Sequence, residues 1–183
     1  MGHGAWCWDE HWLPAAAEAG WNAWAVSVRG HGESGGRRRH RISTLSDYVA
    51  DVVRTIATLP APPVLIGHSM GGRIVQDVLQ NFAAPAAVYV APAPSDGGIR
   101  QIAMTLRTSP LDVLKALTFI PVHPRPEHLV SARIGRERAL SFAARSNPGT
   151  TLNIVQLISP SRTRRTATPS LLLAPGDDRV IPM

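Results

Sequence analysis

Pro63-Val64-Leu65-Ile66-Gly67-His68-Ser69-Met70-Gly71-Gly72-Arg73 is the stretch whose reading decides the fold of this chain. An apolar run leads into it, and a helical pattern from Arg73 to Phe82 leads out. The order is strand, glycine-flanked serine, helix. A serine with glycine two places before and two after can sit on a very sharp turn. Larger residues at Gly67 and Gly71 are expected to collide with neighbouring backbone or to forbid the dihedrals of the turn. Such a turn pushes the Ser69 hydroxyl out at the carboxyl edge of a sheet, within reach of a substrate carbonyl. The Met70 N–H, at the helix start, then points at the oxygen that becomes negative during attack.

Working outward, Trp12 to Gly20 reads as a short alanine-rich helix with glycine at its end. Trp24-Ala25-Val26-Ser27-Val28 reads as a strand, and Arg29-Gly30-His31-Gly32-Glu33-Ser34-Gly35-Gly36 as a loop. Leu45, Val49, Val52, Val53 and Ile56 recur at helical spacing, so Leu45 to Leu59 is expected to be a helix. Val64–Ile66, Ala86–Val90 and Ser170–Ala174 read as strands, the last of them buried. Strands alternating with helices at this spacing imply a parallel sheet with crossover helices. From Ser95 to about Arg165 the pattern changes to helical pieces (Ile99–Leu106, Leu111–Phe119, Pro126–Ile134) with repeated prolines and no strand. Residues 1–94 and 166–183 are thus expected to form the α/β core. Residues 95–165 form an inserted helical lid over its carboxyl edge, with ordinary crossover helices as the alternative.

The chain has 183 residues, 44% of them hydrophobic, which suits one core. The net charge is +6, carried almost wholly by arginine; Lys115 is the only lysine. The basic runs Arg37–Arg41 and Arg162–Arg165 lack adjacent aromatics and read as solvated surface, so no nucleic-acid partner is expected. Cys7 is the only cysteine, which rules out an intrachain disulfide and any cysteine-based zinc spacing. That usage points to a reducing, cytoplasmic setting. No apolar run reaches the roughly 18 residues of a membrane span. Trp6, Trp8, Trp12, Trp21 and Trp24 crowd the amino end and read as core, or as exposed if flanking strands are missing.

Four landmarks in order resemble the α/β-hydrolase family, specifically its small esterase and lipase-like members. They are Trp8 followed by a helix ending at Gly20, Arg29-Gly30-His31-Gly32-Glu33-Ser34, Gly67-His68-Ser69-Met70-Gly71-Gly72, and Asp177-Asp178-Arg179-Val180-Ile181-Pro182. The resemblance implies an α/β-hydrolase fold and a serine hydrolase acting on carboxylic esters through an acyl-enzyme. It makes Ser69 the nucleophile and Asp178, four residues before a proline, the acid. Asp177 is the alternative and Asp96 a distant third. The Met70 N–H is one oxyanion donor. The second comes from a His-Gly pair: His3-Gly4-Ala5 is either that pair, with the Ala5 N–H donating, or part of the loop after a pair upstream of Met1. The implied substrate is a small hydrophobic ester or acyl compound. Leu106, Leu111, Val113, Leu114, Leu117, Phe119 and Ile120 would shape its pocket. No metal or organic cofactor is implied.

The resemblance also implies a general-base histidine beyond the acid, yet none follows Asp178; the last is His128. His31, His68, His123 and His128 read as structural or exposed rather than as substitutes. The chain is therefore expected to be a hydrolase truncated at both ends, with impaired turnover, an incomplete sheet and poor solubility. Two other functions fit the same residues. One is a non-catalytic ligand-binding or scaffold protein. The other is cofactor-free haloperoxidase-like or C–C hydrolase chemistry on the same elbow, since fold does not fix reaction.

Overall fold

The computed structural model describes residues 2–95, 103, 106–107, 110–118, 120, 122–123, 134–161 and 163–176. Along the chain run α1 (Trp6–Asp9), α2 (Trp12–Glu18), a 3₁₀ helix (Arg37–Ile42), α3 (Leu45–Ile56), β1 (Leu65–His68), α4 (Met70–Val78) and β2 (Ala87–Val90). Then follow α5 (Pro110–Leu117), α6 (Arg136–Arg145), α7 (Thr151–Ile158) and β3 (Ser170–Leu173). The three strands form one parallel sheet in the order β1-β2-β3, with Leu65 opposite Ala87 and Ala87 opposite Ser170. Parallel neighbours need a crossover. Between β1 and β2 that crossover is α4; between β2 and β3 it is the long 95–165 stretch.

One face of the sheet carries the core. Leu65 and Ala87 are buried against Met70, Ile74, Val75, Val78 and Leu79 of α4 and the residue after it. Leu45 and Tyr48 of α3 close this cluster, with Val49, Val52 and Ile56 packed against it. The start of α3 is fixed locally by a capping box. The Thr44 hydroxyl accepts the Asp47 N–H at 3.2 Å, and the Asp47 carboxylate accepts the Thr44 N–H at 2.9 Å. Tyr48 is fully buried. Its hydroxyl accepts from Asn153 Nδ2 at 2.8 Å, which ties α7 to α3 across 105 residues of sequence.

Several expectations are corrected here. Trp24–Val28 is not a strand: no ladder partner lies beside it among the described residues, and a strand exists only as one member of a pair. β3 is in the sheet but is not buried. Leu171, Leu172 and Leu173 are 54%, 60% and 40% exposed, because nothing among the described residues covers either face. Trp12, Trp21 and Trp24 are exposed rather than core, at 45%, 69% and 54%. The helix after the elbow begins at Met70, directly after Ser69, and ends at Val78 rather than running to Phe82. The helix expected to run to Leu59 ends at Ile56. Within 95–165, the helix at Leu111–Phe119 corresponds to α5. Pro126–Ile134 and most of Ile99–Leu106 lie outside the described residues. Helices α6 and α7 were not expected; Thr150, whose hydroxyl caps α7 by accepting the Asn153 N–H, was the available signal.

Candidate active site

The elbow is built from backbone. β1 carries its ladder one residue further through Ser69 N–H to Val90 O at 3.0 Å. The Ser69 carbonyl then accepts two amides, Gly72 N–H and Ala93 N–H, both at 3.0 Å. Between these anchors the Ser69 backbone is forced to φ 52°, ψ −118°. A non-glycine residue at positive φ is strained by about 1–3 kcal/mol, and such strain persists only where the surroundings over-determine it. Its neighbour across the edge, Ala91 (φ 40°), shares the condition and is held by a 2.8 Å bond to Leu173 O. The sheet thus ends in two strained residues side by side, one of them the serine. Among the described residues nothing hydrogen-bonds the Ser69 hydroxyl.

Glycine is needed at two places in the elbow, and one differs from expectation. A Cβ at Gly67 would lie 2.5 Å from Gly71 O and 2.7 Å from Gly72 Cα, so the expected collision holds there. At Gly71 a Cβ would meet nothing within 4 Å. The tight second position is Gly72, where a Cβ would lie 2.6 Å from Pro92 Cβ. α4 packs this residue, not Gly71, against the exit of β2. Met70 is buried, and its N–H is among the first four of α4, which have no acceptor inside the helix.

His3-Gly4-Ala5 lies at the same edge. The His3 ring stacks on His68 at 6.4 Å and meets Trp6 and Phe142 edge-on at 5.4 and 6.3 Å. The Arg145 guanidinium sits 4.1 Å over the Trp6 ring. The Ala5 N–H donates to Ser27 Oγ at 2.8 Å, so it would have to exchange that bond to serve an oxyanion. Gly4 rides against Gly32: a Cβ on Gly4 would lie 2.7 Å from Gly32 Cα. The position of the His3–Ala5 segment therefore depends on the Arg29–Gly36 loop.

That loop is clamped from both sides. Arg29 Nε and Nη2 donate to the two oxygens of Asp51 at 2.9 and 2.7 Å, and Nη1 donates to Asp47 at 2.9 Å. Burial pushes the Asp51 carboxyl up, but the Arg29 bonds and charge outweigh it and hold it below the ordinary range. Inside the loop, His31 is fully buried, edge-on to His40 at 4.9 Å and Tyr48 at 5.5 Å. It packs beneath the loop.

Burial dominates the titration of this edge. It pulls His31 from 6.5 to about 4, and it does the same to His3 with help from nearby positive charge. Both imidazoles are neutral in the folded protein at pH 7. Their folded values lie below the unfolded one, so the stabilisation is full above about pH 6.5 and is lost as pH falls toward about 4. The urea midpoint is expected to drop between about pH 7 and pH 5, and His31→Gln to drop less over the same interval.

Asp177, Asp178 and Asp96 lie outside the described residues. Of the apolar residues expected to form an acyl pocket, Leu106, Leu111, Leu114 and Ile120 are exposed, at 49%, 67%, 57% and 51%, and Val113 is half-buried. None of them lines the cleft of about 500 Å³ behind the elbow, which is bounded by Gln76, Tyr89, Leu172 and residues 92–95. One residue went unnoticed in the sequence. Asn147, between α6 and α7, bonds to Gly2, Gly30 and Gly32. A lone asparagine before proline carries no local signal of such long-range contacts.

Three comparisons bear on this geometry. The chain is 28% identical over 182 residues to a monoacylglycerol lipase of Mycolicibacterium smegmatis, covering 90% of this chain and 63% of the lipase. It is 30% identical over 142 residues to esterase PIR7B of Oryza sativa subsp. japonica, covering 73% of this chain and 52% of the esterase. The chain thus spans about half to two thirds of the length of these relatives. An extracellular α/β-hydrolase from a Paenibacillus species superposes with a TM-score of 0.72 at 22% identity, over 99% of this chain and 76% of that one. A strained serine between a parallel strand and its crossover helix accords with these likenesses. The model of the Alpha/beta hydrolase family matches residues 1–183, and the chain belongs to that family.

Proposed function

We propose that this chain hydrolyses carboxylic esters through Ser69. The observation that carries the reading is the Ser69 backbone at φ 52°, ψ −118°, locked by three backbone hydrogen bonds at the carboxyl edge of the sheet. A fold holds such strain against its own stability, and a nucleophile that must project from a sharp turn gives a reason for it. The lipase and esterase names of the relatives support an ester as substrate.

In this mechanism Ser69 Oγ attacks the ester carbonyl and the Met70 N–H stabilises the oxyanion. The Ala5 N–H joins it on leaving Ser27 Oγ. A base in solution takes the Ser69 proton during attack; the tetrahedral alkoxide then collapses, the leaving oxygen takes a proton back and departs as the alcohol, and water hydrolyses the acyl-enzyme that remains. Asp178 is the acid that would orient an imidazole. The 95–165 stretch acts as a cap over the edge. The substrate is a small hydrophobic ester.

A fluorophosphonate probe tests the reading, because it phosphonylates a serine whose hydroxyl is activated and displaces fluoride. We expect labelling at Ser69, found by peptide mass mapping. No adduct at Ser69, or an adduct only on another serine, would remove the basis for the mechanism.

A further inference from the structure

We propose that Asn147 is a positioning residue that sets the geometry of the His3–Ala5 segment, whose His3 ring stacks on His68, the residue before Ser69. The inference rests on the ester-hydrolase reading for its consequence, though not for its geometry. Asn147 makes three polar contacts, all over more than a hundred residues of sequence. Its backbone N–H donates to Gly2 O at 2.7 Å. Its Nδ2 donates to Gly30 O at 2.9 Å, and its Oδ1 accepts the Gly32 N–H at 3.3 Å. One side-chain amide therefore uses its donor and its acceptor on two residues of the same loop, while its own backbone holds the segment that leads to Ala5.

The surrounding geometry shows why the position matters. Gly2 has φ +94°, and a Cβ there would lie 2.6 Å from Asn147 O, so the two backbones meet with no room for a side chain. Gly32 (φ +52°) is the residue on which Gly4 rests, and both pack on Ser27, the acceptor of the Ala5 N–H. A shift of Gly32 moves Gly4, and with it the amide of Ala5. Next to Asn147, Pro148 O lies 3.1 Å from His40 Nε2, and the Gly149 N–H and C=O pair with Val122. The clamp is thus anchored on its far side to His40 and Val122. Asparagine suits the task because it alone combines a short planar donor and acceptor; aspartate would set a carboxylate oxygen against Gly30 O.

Two measurements on the full chain test this. The first is amide hydrogen exchange of Asn147→Ala against the parent. Loss of two side-chain bonds, each worth about 1 kcal/mol, is expected to speed exchange in residues 2–8 and 28–36 by about 5- to 30-fold. Exchange in β1 and α4 should stay unchanged. The second is the kinetics of Ser69 phosphonylation. The maximal labelling rate should fall roughly tenfold, as misplacement of a donor predicts, with the half-saturating probe concentration unchanged. Asn147→Asp should behave like Asn147→Ala in both. Unchanged exchange in 2–8, or a rise shared equally by β1 and α4, would overturn the proposal, the second because it marks general loosening. A labelling rate equal to that of the parent would overturn the link to Ser69. If the parent itself takes up no probe at Ser69, the ester-hydrolase reading fails, and the exchange pattern alone decides whether Asn147 positions the segment.

Discussion

Ser69→Ala should abolish covalent labelling by a fluorophosphonate and reduce hydrolysis of a p-nitrophenyl ester to the buffer rate. Alanine removes the only atom of this residue able to form the acyl or phosphonyl bond. The magnitude depends on what else is in place. In a serine triad the members act as a unit, and loss of the serine or the histidine alone costs on the order of 10⁶ in turnover. The informative comparison is therefore made with added imidazole, which can accept the Ser69 proton from solution. It should accelerate labelling and ester hydrolysis by the parent chain and leave Ser69→Ala unaffected. Acceleration of both proteins equally would place the reaction away from Ser69.

Gly67→Ala should be the most damaging single methyl in the core of the molecule. The added carbon would stand 2.5 Å from Gly71 O and 2.6 Å from Gly71 C, both backbone atoms that cannot rotate aside. Relief requires β1 to separate from the first turn of α4. That movement strains the bonds from Ser69 N to Val90 O and from Gly72 N to Ser69 O. The cost is expected to be about 3 kcal/mol, which for a domain of this size lowers the melting temperature by roughly 6–12 °C. Gly71→Ala, four residues along the chain, is the control. Its Cβ would meet nothing within 4 Å, and at a helical position alanine is favoured over glycine by up to about 1 kcal/mol. It should leave stability equal or slightly improved. Equal destabilisation by both substitutions, read by thermal melting, would contradict the packing described for the elbow.

The exposed apolar residues add a physical consequence to the same structure. Trp21, Trp24, Ile66 and Leu171–Leu173 are all at least 40% accessible. Among the described residues β1 and β3 are the edges of the sheet. Open strand edges beside apolar side chains favour association between chains.

What the sequence determined by itself was whatever depends on neighbours a few residues apart. The apolar runs at Leu65, Ala87 and Ser170 became parallel strands, and the periodic face from Leu45 became α3. The glycine spacing around Ser69 specified the elbow, because backbone dihedrals and Cβ clearance are local quantities. The amino-acid order could not say that Trp24–Val28 lacks a ladder or that β3 stands uncovered, since both depend on what lies alongside. It named Gly71 where packing against Pro92 makes Gly72 the tight position. It left His31 as a loop residue, and only the approach of His40 and Tyr48 buries it. Asn147 is the clearest case. Its role arises from three contacts to residues more than a hundred positions away, and hydrogen bonds of that range exist only once the chain has closed on itself.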